Sequence, residues 1–131
     1  MEQGAESRKL MNDKQFRFQD FEIWQRGAAL SGIFFKLADG LVNRKLFRFA
    51  GQLRGATLNI TNNIAAWSGG VSDADFASFL NICRRSVFEV VNMLLLLSRE
   101  VYLTGADIGV AIAELEEQSK LIMAFRRLLK S

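Results

Sequence analysis

From Leu46 to Trp67 one apolar series runs without a break: Leu46, Phe49, Leu53, Ala56, Ile60, Ile64 and Trp67. The spacings are three and four throughout, which is one face of an α-helix and cannot be the alternating face of a strand. No proline occurs anywhere in the chain to interrupt it. "SGG" at 68–70 closes the run as a glycine-rich helix end. A helix with such a stripe must bury it against other elements, so this feature limits the chain to packed helices.

Three further segments carry the same period. The first spans about Asp20, read as an N-cap, to Asp39, with Gly40 as its stop, and carries Ile23, Trp24, Leu30, Phe34 and Leu37. The Leu46–Trp67 stripe belongs to the second, which starts near Asn43. The third opens at "SDAD", Ser72 as N-cap with Asp75 three residues on, and carries Phe76, Phe79, Leu80, Cys83, Val87, Val90, Leu94 and Leu97. "TG" at 104–105 separates it from the fourth, read as capped by Asp107, with Ile108, Ile112, Leu115, Ile122 and Leu129. Short connections make successive helices antiparallel neighbours. The expected fold class is all-α, an antiparallel up-down-up-down four-helix bundle. It forms a single domain over 18–131 behind a flexible polar tail at 1–17.

Composition then removes chemistries. The chain of 131 residues has no His and one Cys. An internal disulfide, a Ser-His-Asp or Cys-His centre, a His/Cys zinc site and a Glu-x-x-His di-iron site are all excluded. No cofactor and no metal are expected, and the chain is read as not an enzyme. The richest apolar run, "VFEVVNMLLLL", is too short and too polar to span a bilayer. A polar start without a signal peptide completes the expectation of a cytoplasmic protein with no membrane partner. The net charge of +3 favours an anionic partner mildly.

Two helices are apolar on more than one side. On the second helix Phe47, Leu58 and Ala65 fall roughly 140 to 160° from the Ile60 stripe, and on the third Phe88, Leu95 and Leu96 oppose Cys83. Helices of a lone bundle have one polar face. Phe47, Leu58, Phe88, Leu95 and Leu96 are therefore expected to meet another copy in a homo-oligomer. Beside the core stripe of the second helix, Gln52, Asn59 and Asn63 form a polar seam, with Ser86 and Glu89 on the third helix as partners for Asn63. A buried hydrogen-bond network that fixes helix register is the favoured reading. A ligand or base-contacting pocket is the alternative.

At these residues the sequence resembles a known family. "FQDFEIWQRGAAL" (18–30) is similar to the opening signature of bacterial four-helix-bundle proteins, some of them encoded in intervening sequences of large-subunit ribosomal RNA genes. "QLRGATLNITNNIAAW" (52–67) resembles their central helix, QLRRAAxSIPxNIAEG, and "FASFLNICRRSVFEV" (76–90) resembles their third, FLxIAxGSLxE. The chain departs at Thr61 for Pro, at Ala66 and Trp67 for the closing Glu and Gly, and at Arg85 for the Gly before Ser86. The resemblance implies the bundle and a ring-forming homopentamer. Related accessory variability proteins of retroelements associate with a reverse transcriptase and with nucleic acid.

The strongest candidate site is the basic surface. Arg44, Lys45, Arg48 and Arg99 are expected at one end of the bundle. Arg84, Arg85, Arg126, Arg127 and Lys130 are expected toward the other, near Arg8, Lys9, Lys14 and Arg17. Repeated around a ring these make a basic rim for RNA or DNA backbones. The competing expectation is a scaffold for a protein partner such as a reverse transcriptase. Trp24 and Trp67 are read as core aromatics, Cys83 as an inert buried thiol, and Glu114, Glu116 and Glu117 as a solvated acidic face with a Glu116–Lys120 pair.

Overall fold

The computed structural model describes residues 16–70 and 72–130, except the side chains of Asp107 and Lys130. A 3₁₀ turn, Arg17–Asp20, leads into four α-helices: α1 (Glu22–Asn43), α2 (Phe47–Ser68), α3 (Asp73–Arg99) and α4 (Gly105–Lys130). Each helix packs on the next, and α4 packs back on α1. Contacts run in opposite order along neighbours. Phe21, Gly27 and Asp39 meet Trp67, Thr61 and Arg54. Along α4, Gln118 bonds Ile23 of α1 and Glu114 bonds Arg26. The helices therefore form an antiparallel bundle. Its upper end holds residues 17–22, 68–70, 72–73 and 126–130; its lower end holds the loops 44–46 and 100–104.

The core takes most of the stripes expected from periodicity. Phe49 departs from its stripe and is 39 % exposed while the neighbouring Ala50 is buried, and Trp24, Leu37, Leu46, Phe79, Ile112 and Leu129 are only half-buried at the core's edge. Phe34, Leu53, Ile60, Ile64, Phe76, Leu80, Cys83, Leu94, Leu115 and Ile122 are fully buried. Ser72 caps α3 as expected, its hydroxyl accepting from the Asp75 N–H at 3.2 Å. Other boundaries differ. Asp20 closes the 3₁₀ turn, and Phe21 takes the cap position of α1 without a side-chain cap bond. Its ring lies among Trp67, Phe76 and Phe125, so packing fixes this start where a polar cap was expected. Gly40 does not stop α1, because a glycine with open space around it sits in a helix at modest cost. Asp107 stands inside α4, whose first turn instead has the Ile108 N–H on the Thr104 carbonyl.

Both lower helix ends close in the same way. Lys45 has φ 63 and Val101 has φ 65. In α1 the Leu46 N–H returns to the Leu41 carbonyl and the Lys45 N–H to Val42; in α3 Tyr102 returns to Leu97 and Val101 to Ser98. These are Schellman closures, with left-handed residues where glycine is usual. Gly69 and Gly70 at the end of α2 keep negative φ.

Candidate functional site

At the lower end, Arg44 is held. Its Nη1 donates to the Tyr102 carbonyl at 3.0 Å, and its guanidinium carbon lies 5.2 Å from the Tyr102 ring centroid. It clasps the 44–46 loop to the 100–104 loop. Lys45, Arg48 and Arg99 are exposed around that clasp. Since α1 and α3 end here and α2 starts here, three helices bring these cations to one end. The Schellman turn that lifts Lys45 out of helical geometry leaves its side chain in solvent.

Arg84 and Arg85 do not join the upper end. They stand near the middle of α3, because that helix runs from Asp73 to Arg99. There they line a cavity of about 260 Å³ with Asn81 and Phe88. The Arg84 guanidinium carbon is 4.9 Å from the Phe88 ring centroid, and its buried Nε makes no hydrogen bond. Arg127 is exposed near the upper end, whereas Arg126 is half-buried, with an Nε that is also buried without a partner. Arg17 lies over the Trp67 ring at 4.6 Å. Arg8, Lys9 and Lys14 and the side chain of Lys130 lie outside the described residues.

The polar seam is not a buried network. The Asn63 amide donates to the Asn59 carbonyl of its own helix at 2.7 Å, and Ser86 donates to Ile82 of its own helix at 3.2 Å. Gln52, Asn59 and Glu89 are exposed and, with Asn92, line an open groove between α2 and α3. Short polar side chains reach the preceding turn of their own helix more readily than a facing helix. The bond between α2 and α3 at this level comes instead from Cys83, whose thiol donates to the Ile60 carbonyl at 3.2 Å. Burial pushes that thiol up to about 12, which keeps it protonated and unreactive.

The outward apolar residues are exposed as the two-faced pattern requires: Phe47 is 62 % accessible, Phe88 55 %, Leu95 52 %, Leu96 51 % and Leu58 44 %. They do not share one strip. Phe88 and Leu95 line an apolar groove of about 480 Å³ against Ile112 and Leu115 of α4. Leu96 faces the α2 side, in a cavity of about 400 Å³ with Phe49, Met93 and Tyr102. The acidic face of α4 is partly tied down, Glu114 to Arg26 at 2.9 Å and Glu116 to Lys120 at 3.8 Å. Among the described residues no three Cys, Asp or Glu side chains converge as a metal site needs, and no helix is long and apolar enough to cross a membrane.

Two positions escaped the sequence reading. Gln118 is wholly buried and donates from Nε2 to the Ile23 carbonyl at 2.7 Å, joining α4 to α1. Gly27 lets α1 approach α2, since a Cβ there would meet the Thr61 methyl at 2.9 Å. Gln118 lies on the apolar side of α4 between Leu115 and Ile122, and that phase was its signal.

Comparison with protein families finds one whose model, described as 23S rRNA-intervening sequence protein, matches residues 19–124. Comparison with curated proteins and with solved structures finds no match.

Proposed function

Since this chain belongs to the 23S rRNA-intervening sequence protein family, we propose that it is a non-enzymatic protein that assembles with copies of itself and binds the phosphate backbone of RNA or DNA. The carrying observation is a juxtaposition on one small bundle. Exposed Phe47, Leu58, Leu95 and Leu96 offer apolar surface to further copies, and Lys45, Arg48 and Arg99 stand exposed together at the lower end. A closed ring repeats those cations in a rim, and five copies is the number the family resemblance implies. Phosphate contacts of this kind hold a backbone with little base preference.

The test is molar mass by light scattering, with and without RNA, over a salt series. The expected result is a defined oligomer that retains RNA at low salt and releases it steeply as salt rises. A monomer, or no retention of either polymer at low salt, overturns the reading. The Phe88–Leu95 groove favours a second reading, a scaffold for another protein. It requires the assembled protein to keep that groove open, which hydrogen exchange of α3 and α4 in the oligomer reads directly.

A further inference from the structure

On the α4 side of α3 the exposed apolar surface ends at Phe88. Leu95 lies below it, seven residues and about 10 Å away along the helix. Above it the character changes to Asn81, Arg84 and Arg85. These three with Phe88 are the whole lining of one cavity of about 260 Å³. All four sit on the outward side of one helix within two turns, so no loop movement is needed to bring them together.

Three properties of this cavity point to one ligand chemistry. First, it is cationic. Arg84 and Arg85 line it, no acidic side chain does, and neither arginine has an ion pair among the described residues. Second, one guanidinium is held against a ring and has one donor unsatisfied. The Phe88 ring 4.9 Å away fixes Arg84, while its Nε is buried and makes no hydrogen bond. A buried donor in that state gains from any acceptor that enters. Third, an aromatic face is left over. Phe88 is 55 % accessible although Arg84 covers part of it. An arginine pair suits a phosphate, an exposed ring suits a stacked base, and an Asn side chain offers both a donor and an acceptor to a base edge.

We infer that Asn81, Arg84, Arg85 and Phe88 form a single-nucleotide site for unpaired RNA, the guanidinium groups taking a phosphate and the Phe88 ring stacking on the base. This rests on the nucleic-acid reading above and adds to it a preference for single strands, because a base inside a duplex has no free face to stack. Arg85 stands where the family resemblance places Gly, so the site is a property of this chain. It also gives Phe88 another role than the contact with a second copy expected from the two-faced pattern, and leaves Leu95 and Leu96 to that contact: the ring marks the border between the apolar surface and the bound strand.

The test uses the full chain and a fluorescent ten-nucleotide oligouridine carrying one photoreactive uridine, with the same sequence in a duplex as control. Phe88→Leu keeps apolar bulk and removes the ring; it is expected to weaken single-strand binding about tenfold and leave duplex binding unchanged. Arg84→Gln with Arg85→Gln is expected to make the salt dependence shallower by about 0.7 for each phosphate that is no longer neutralised. Photocrosslinks are expected in the segment 81–88. Crosslinking reads the site independently of assembly, so it decides the matter if Phe88→Leu also changes the molar mass. If these variants bind like the parent and crosslinks fall elsewhere, while Lys45→Gln with Arg48→Gln and Arg99→Gln loses binding, this site is overturned and the basic-rim reading stands. If the unaltered protein retains no RNA at low salt, both fall.

Discussion

At the upper end of the bundle, Phe21 at the cap of α1 joins Trp67, Phe76 and Phe125, one ring from each of the other three helices, in a single cluster, and the Trp67 indole donates to the Ser72 carbonyl at 3.2 Å beneath the α3 cap. At the lower end, two loops in left-handed turns meet across Arg44, with Lys45, Arg48 and Arg99 facing solvent. The ring cluster at one end is packed inward; the cations at the other are presented to solvent. The contrast separates residues that hold the fold from residues free to contact something else, and mutation should divide along it. Trp67→Ala removes ring stacking, an enclosed indole and its hydrogen bond, and is expected to cost about 3–5 kcal/mol in urea unfolding. The triple change Lys45→Gln, Arg48→Gln, Arg99→Gln is expected to leave stability within about 0.5 kcal/mol for each site while lowering RNA retention. A lower end as sensitive to unfolding as Trp67 would erase the distinction.

Cys83 extends the comparison to the centre, where it is wholly buried and its thiol donates to the Ile60 carbonyl of α2. The folded protein holds the proton up to about 12, whereas an unfolded thiol releases it near 9.0. Above pH 9 the folded state thus binds more protons than the unfolded state, and stability falls as pH rises. This contribution is whole below pH 9 and is lost progressively toward 12. Urea midpoints measured from pH 8 to 11 are expected to decline less steeply for Cys83→Ala than for the parent. Identical slopes would mean that the thiol is not enclosed as described.

Glycine positions sharpen the same point on a smaller scale. At Gly27 a Cβ would meet the Thr61 methyl at 2.9 Å, but at Gly32 and Gly40 of the same helix it would meet nothing within 4 Å. Gly27→Val is expected to cost about 1–3 kcal/mol by forcing α1 from α2. Gly32→Ala and Gly40→Ala are each expected to stabilise by about 0.5–1 kcal/mol through helix propensity alone. Thermal unfolding of the three variants checks the opposite signs.

How far the sequence announced all this depends on the range of the interaction. The four stripes, the Ser72 cap and the end of α2 at Ser68 are local patterns, and they were legible. Gly40 misled because a glycine is a helix stop only where the chain turns, and the turn was set five residues later by Lys45. The seam of Gln52, Asn59, Asn63, Ser86 and Glu89 was placed correctly on its helix flanks, but its bonding was not. Whether Asn63 reaches across to α3 or back to Asn59 is decided by helix separation, which periodicity does not contain. Gly27 with Thr61 and Gln118 with Ile23 are pairings between helices, invisible for the same reason. Arg84 and Arg85 were assigned to an end although the length of α3 puts them at mid-helix. Their grouping with Phe88 was written in the spacing 81, 84, 85, 88 but hidden by reading the arginines and the phenylalanine as separate surfaces.

A comparably small effect lies in the turn after α3. Val101 is β-branched, has φ 65 and is 79 % exposed. A left-handed backbone brings Cβ close to the following carbonyl at about 1–2 kcal/mol per residue, and side-chain burial returns little here. Val101→Gly relieves that clash but gives the unfolded chain more freedom, worth about 0.4–1 kcal/mol. The difference predicts a gain of about 0.5–1 kcal/mol, with the Tyr102 N–H still bonded to Leu97 because the Schellman closure suits glycine. If the gain is found and RNA retention is unchanged, the valine is dispensable to the proposed rim. If stability rises while retention falls, the lower end holds a strained residue because its contacts with a partner need the exposed side chain. That outcome would carry the contrast between the two ends from charge to backbone conformation.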